Sequence, residues 1–219
     1  RFARQSSSLW LESFPGDMEV TLYNTRALFA EGNESQAAQL LENLVVLDPE
    51  YYEAFRMIAF VYGRGNPEKN TDAMAHVHAL GGRVPVDVSI PDWCGHVRDA
   101  RKALNHQNYE KAYELIHQVL GIGPQRSLVD AVHLQIVMAV QTPMEVMQLS
   151  TLYHERWPQC LVFTHALADA RLGMGDEVGA VQLLHQCVSA DAAGQVASRL
   201  WGKEHRYLPI WPANLEIQF

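Results

Sequence analysis

Ten histidines and three cysteines are the residues of this chain best equipped to bind a metal or attack a substrate. A helical zinc pair needs two imidazoles four residues apart, on one face. His76 and His78 are two apart in a segment expected to be helical, so they point to different faces. HExxH, a CxxC…HxxxH spacing and an Asp-rich calcium loop are all absent from the sequence. No metal and no cofactor is expected. Cys94 and Cys160 fall at expected helix starts, where a thiol pKa can drop, but free cysteine more often packs as a small apolar residue. Gly63-Arg64-Gly65 and Gly121-Ile122-Gly123 read as helix C-caps and turns rather than phosphate cradles. With no GxSxG elbow, no GxxxxGK[ST] loop and no paired-acid signature, the chain reads as non-enzymatic.

Composition narrows the remaining classes. Of 219 residues, 48% are apolar and 19% charged, which excludes a disordered chain and allows a sizeable core. Lys and Arg total 17 against 25 Asp and Glu, a net charge of -8 that argues against a sequence-tolerant nucleic-acid binder. No apolar run reaches the roughly 18 residues of a membrane span. Three cysteines, an odd number without a CxxC pair, argue against a disulfide framework and favour a reducing, cytoplasmic setting. The first residue is Arg1, so a fragment or a processed form, with an upstream signal or anchor, stays open.

The elements that carry these residues repeat. A small or apolar residue, a second four later, a third three later and a stop five later recur five times. The sets are Ala37, Leu41, Leu44, Pro49; Ala73, Val77, Leu80, Pro85; Ala112, Ile116, Val119, Pro124; Val146, Ser150, Tyr153, Pro158; and Ala180, Leu184, Cys187, Ala192. Steps of four and three make one helix face, and proline ends four of the five. Four positions before each first residue stand the N-cap candidates Asn33, Asn108, Thr142 and Asp176; in the second set Lys69 holds that place and Asn70 adjoins it. Pro124 to Pro158 is 34 residues and Ala112 to Ala180 is 68, twice that period.

A 34-residue period of paired helices resembles the tetratricopeptide repeat (TPR) family. Gly32 and Gly175 match its inter-helix turn, Ala59, Ala100 and Ala168 its small first-helix position, and Tyr62 its aromatic one. Asn108–Tyr109–Glu110–Lys111–Ala112 reads like the start of a second helix. The early Trp is replaced throughout, and Leu134 takes the small position of the fourth repeat. The resemblance implies an all-α fold, an α-solenoid: a right-handed superhelix of antiparallel helix pairs with a C-terminal capping helix and an extended aromatic tail. Its parts are an N-terminal segment 1–17, five repeats over 18–194 (18–51, 52–87, 93–126, 127–160 and 161–194) and a cap and tail over 195–219. First helices are expected near 19–30, 51–63, 93–105, 126–140 and 160–173. Second helices are expected near 34–47, 70–80, 109–120, 143–156 and 176–188, and a closing helix at 195–201.

In that family first helices line a concave groove for a peptide. Carried over by position, the groove shows Arg26, Phe29, Arg56, Phe60, Arg101, Leu104, Gln135, His165 and Asp169. Three arginines facing inward suit an acidic or C-terminal carboxylate segment, since a guanidinium grips a carboxylate with a fork. The plainer alternative is that they satisfy neighbours such as Glu19 or Glu53. The Lys and Asn positions of the chaperone-tail clamp hold Leu22, Arg26, Met57 and Cys94, so that partner is not expected. Tyr207, Trp211 and Phe219 in the tail either seal the last helix pair or dock on another subunit or partner. The favoured function is a scaffold that binds a protein or peptide segment; the other is a regulatory or targeting module of a larger enzyme or signalling chain. Self-association stays open.

Overall fold

The computed structural model describes residues 2–63 and 65–201. Among these the chain is all-helical, with no strand. The helices are α1 (Phe2–Ser13), α2 (Met18–Ala30), α3 (Glu34–Leu47), α4 (Tyr52–Tyr62), α5 (Pro67–Ala79) and α6 (Asp92–Asn105). They continue as α7 (Tyr109–His117), α8 (Ser127–Val140), α9 (Pro143–Arg156), α10 (Leu161–Gly173), α11 (Glu177–Ala190) and α12 (Gln195–Trp201). None is long and apolar enough to cross a membrane. The expected tail residues Tyr207, Trp211 and Phe219 lie outside the described residues.

Caps and turns set these boundaries. Asn108 Oδ1 accepts from Lys111 N (3.3 Å) at α7, and Asp176 Oδ1 accepts from Gly179 N (2.9 Å) at α11. At α9 Thr142 and Glu145 form a reciprocal capping box: Thr142 N and Oγ1 both donate to Glu145 Oε2, at 3.0 and 2.7 Å. The second set differs from expectation. Its helix begins three residues early, because Asn66 Oδ1 takes Lys69 N (3.1 Å) and Pro67 fills the first helical position. Asn70 Nδ2 instead donates to the Ala59 carbonyl at 2.6 Å, tying α5 to α4. Helix α7 stops at His117, short of the expected 120, and turns follow it. Gly32 and Gly175 close their helix turns at φ of 81° and 87°, while the equivalent residue between α6 and α7 is Gln107 at φ 57°. Helix α1 was not anticipated in 1–17. It packs on α2, with Ser7 Oγ donating to Asn24 Oδ1 (3.1 Å) and Trp10 Nε1 to Asp17 Oδ2 (2.9 Å).

The described residues fall into two compact units, the division lying within α3 and α9. In the unit spanning Leu41–Glu145, α4 packs on α5, α5 on α6, α6 on α7 and α7 on α8, and α6 also meets α8. This sequential neighbour packing is solenoid-like. Its core runs unbroken through Ala75, Trp93, Val97, Ala112, Ile116, Leu128 and Ile136, so no helix pair closes a core alone. The other unit joins the described parts of Arg1–Leu40 and Val146–Phe219. There α1 packs on α2, α10 on α11, and α12 on α10. The Gly16 carbonyl accepts from Ala192 N (3.3 Å), and a Cβ at Gly16 would come within 2.5 Å of the Ala190 carbonyl carbon.

Most of the five-fold sequence pattern lies on the buried face of the second helices, with Leu80 and Val146 half-buried. Ala37, Leu41, Ala73, Val77, Ala112, Ile116, Ala180 and Cys187 are each buried, as are Ser150 and Tyr153. Burying a large aliphatic side chain contributes about 1.5–3 kcal/mol, so this face is a principal source of helix stability.

Candidate functional site

Helix α4 separates two kinds of side chain by the 3.6-residue turn. Ala54, Phe55, Ile58 and Ala59 are buried. Arg56 and Phe60, four apart, share the opposite face and are exposed, Phe60 to 67%. Arg56 Nη1 pairs with Glu53 Oε1 at 3.3 Å, between two largely solvated side chains. This is the neighbour that the plainer alternative named. On α2, Arg26 is exposed, with its Cζ 5.5 Å from the Tyr23 ring centroid, and Phe29 is half-buried.

Arg101 has a different role. Its Nε and Nη2 each lie 3.2 Å from Glu50 Oε1, and its Nη1 donates to the Leu80 carbonyl at 3.3 Å. Gln135 Nε2 donates to the other oxygen of the same carboxylate at 2.6 Å. The Glu50 side chain is only 3% exposed, and its own N–H donates to Asp48 Oδ1 (2.9 Å). Arg101 and Gln135 therefore neutralise and fix a buried carboxylate, joining α6 and α8 to the turn after α3. Sequence reasoning missed Glu50, which is 51 and 85 residues from these partners and sits in a stretch read only as a helix stop.

The remaining groove positions are less open. Leu104 is partly buried against the core of its unit. His165 is fully buried, with its ring centroid 5.0 Å from that of Trp201 on α12. Asp169 is half-buried. Elsewhere on the first helices, Leu128 and Ala131 of α8 and Val162 of α10 are fully buried. Of the nine expected groove residues, only Arg26, Arg56 and Phe60 are exposed.

The three cysteines are packed rather than poised. Burial pushes the Cys94 thiol up to about 12, and the same cause raises Cys187. Cys160 is buried at the N-cap of α10. The two closely spaced histidines diverge: His76 Nδ1 donates to the Asp72 carbonyl (2.9 Å), whereas His78 Nε2 accepts from Arg98 Nη1 (3.1 Å). The His76 ring stacks on Phe55 at 4.4 Å and meets the Trp93 edge at 5.2 Å. Burial lowers its basicity, against an opposing pull from Asp72.

Beside this aromatic group a cleft of about 830 Å³ opens within the Leu41–Glu145 unit. Phe55, Ile58 and Trp93 line it together with Glu68, Asp72 and Arg126. No sequence signal marked it, because its lining comes from α3, α4, α5, the start of α6 and the turn before α8.

Comparison with models of known families gives no match, and comparison with curated proteins gives none either.

Proposed function

We propose that this chain is a non-enzymatic protein-interaction scaffold of the tetratricopeptide type, which holds a segment of a partner protein on the exposed face of α4. The observation that carries this reading is the α4 face, where Phe60 is 67% exposed beside a solvated Arg56. Aromatic and arginine side chains dominate the energetics of protein interfaces, and a phenylalanine left in water gains most when a partner covers it. The Arg56–Glu53 pair is a surface contact worth about 0–1 kcal/mol, so Arg56 can exchange Glu53 for a partner carboxylate at small cost. An acidic partner segment is the class that this arginine suits. A reducing, cytoplasmic setting suits the three free, buried cysteines.

Arg101 is left unchanged in the test, since Arg101→Glu would bury a second carboxylate against Glu50. Phe60→Glu and Arg56→Glu change only exposed positions. Affinity capture with the wild type, followed by mass spectrometry, should recover a partner that both variants lose while melting like the wild type. Recovery of the same partner in equal amount by Phe60→Glu would refute the proposal.

A further inference from the structure

The cleft beside α5 has walls and a floor of different chemistry. Its floor is apolar and aromatic: Phe55, Ile58 and Trp93, each less than a tenth exposed. Its ionised lining comprises three carboxylates, Glu42, Glu68 and Asp72, against two cations, Lys69 and Arg126. Both cations are already engaged. Lys69 Nζ is held by Glu42 Oε1, lies 3.3 Å from the Tyr62 hydroxyl and sits 4.8 Å above the Tyr62 ring. Arg126 lies over the Trp93 ring, Cζ 4.6 Å from its centroid, and its Nη1 donates to the Pro124 carbonyl at 2.9 Å.

Two of the carboxylates are differently placed. Glu68 and Asp72 are one helical turn apart on α5, so both stand on the wall of the cleft. The Asp72 side chain is 66% exposed, and the ionisable group beside it is the His76 ring, 3.6 Å from Oδ2. Packed between Phe55 and Trp93, that ring resists protonation and supplies no standing cation. The cleft thus offers an apolar floor for a large side chain and, at its wall, carboxylates still open to a cation.

We propose that this cleft binds a protein segment carrying a lysine or arginine next to a large apolar residue. The apolar side chain covers Phe55, Ile58 and Trp93, and the cation sits between Glu68 and Asp72. An acidic segment would meet the same carboxylates and be repelled. The site lies on the side of α4 opposite Phe60, so it is independent of the surface invoked for the proposed function.

The test uses the whole chain carrying Phe60→Glu, which silences the other surface. A random decapeptide library panned against this protein should enrich sequences with a basic residue adjoining Leu, Phe, Trp or Met. Titrated as a fluorescein conjugate, the leading peptide should bind about fivefold more weakly to a further Glu68→Gln/Asp72→Asn variant. It should also weaken as salt rises from about 50 to about 500 mM. Thr71→Trp, an exposed position lining the cleft, should block binding by bulk alone. Enrichment of acidic or uncharged peptides, no enrichment, or binding indifferent to Thr71→Trp would each overturn the site. None of these results bears on Phe60, so failure here and failure of the scaffold reading are distinguishable.

Discussion

Helices α4 and α10 occupy equivalent places in the repeat pattern, yet one presents a surface and the other is enclosed. On α4 the buried residues are Ala54, Phe55, Ile58 and Ala59, leaving Arg56 and Phe60 to solvent. On α10 every residue from Leu161 to Ala168 is buried. The Tyr153 ring lies 5.4 Å from Phe163, Thr164 Oγ1 is 3.3 Å from His154 Nδ1, and Trp201 of α12 covers His165. Helix α8 resembles α10, with buried residues running from Leu128 to Leu134. A repeat position therefore leaves a side chain exposed only where neighbouring elements do not cover it. On α10 the closing helix sets Trp201 against His165.

The contrast can be broken most strongly at its two phenylalanines. Phe163→Ala should lower the free energy of unfolding by about 3–5 kcal/mol, since Phe163 is fully buried and the cavity cannot refill. Phe60→Ala should stay within about 0.5 kcal/mol of the wild type. Urea unfolding measures both, and comparable losses would show that α4 is as enclosed as α10.

The arginines sharpen the same comparison. Arg101→Ala should destabilise by about 3 kcal/mol, because it takes the guanidinium away from the buried Glu50 carboxylate, to which Gln135 also donates. Arg56→Ala removes only a solvated pair and should change stability by less than about 0.5 kcal/mol. Adding Glu50→Gln to Arg101→Ala should restore part of the loss, as the stranded charge disappears.

Acid provides a graded probe of the enclosed helices. On α8, burial holds His133 down to about 4, and the neighbouring His117 adds to the fall. The folded value lies below the ordinary 6.5, so the unfolded chain binds the proton first. Stability from keeping this ring neutral is complete above about pH 6.5 and is lost as pH falls toward 4, by at most about 3 kcal/mol. Unfolding measured at intervals across that window should show a shallower decline for His133→Phe than for the wild type. Identical slopes would mean that the ring is hydrated. Smallest of all, Gln107→Gly should stabilise by about 0.5 kcal/mol by relieving its left-handed backbone.

The helices were legible in the sequence wherever local chemistry fixes them. The small and apolar triads marked the buried faces, and Asn108, Thr142 and Asp176 marked starts. Asn66-Pro67 was overlooked because the period pointed to Lys69, and local capping chemistry outranked the period. Helix α1 was missed because it lies outside the repeat. The site was much less legible. Periodicity says which way a side chain points from its own helix, not what arrives from elsewhere to meet it. Thus Arg56 and Arg101 looked alike until Glu50 and Gln135 were seen around one of them, and His165 looked open until Trp201 was seen over it.

The central claim is that the outward face of α4 is where a partner is held. Installing p-benzoylphenylalanine at position 60, and separately at Val178 on α11, gives two photocrosslinkers at similarly exposed sites, 67% and 73%. Irradiated with the partner recovered by affinity capture, position 60 should yield the covalent adduct and position 178 should not. An adduct from 178 with none from 60 would contradict the account.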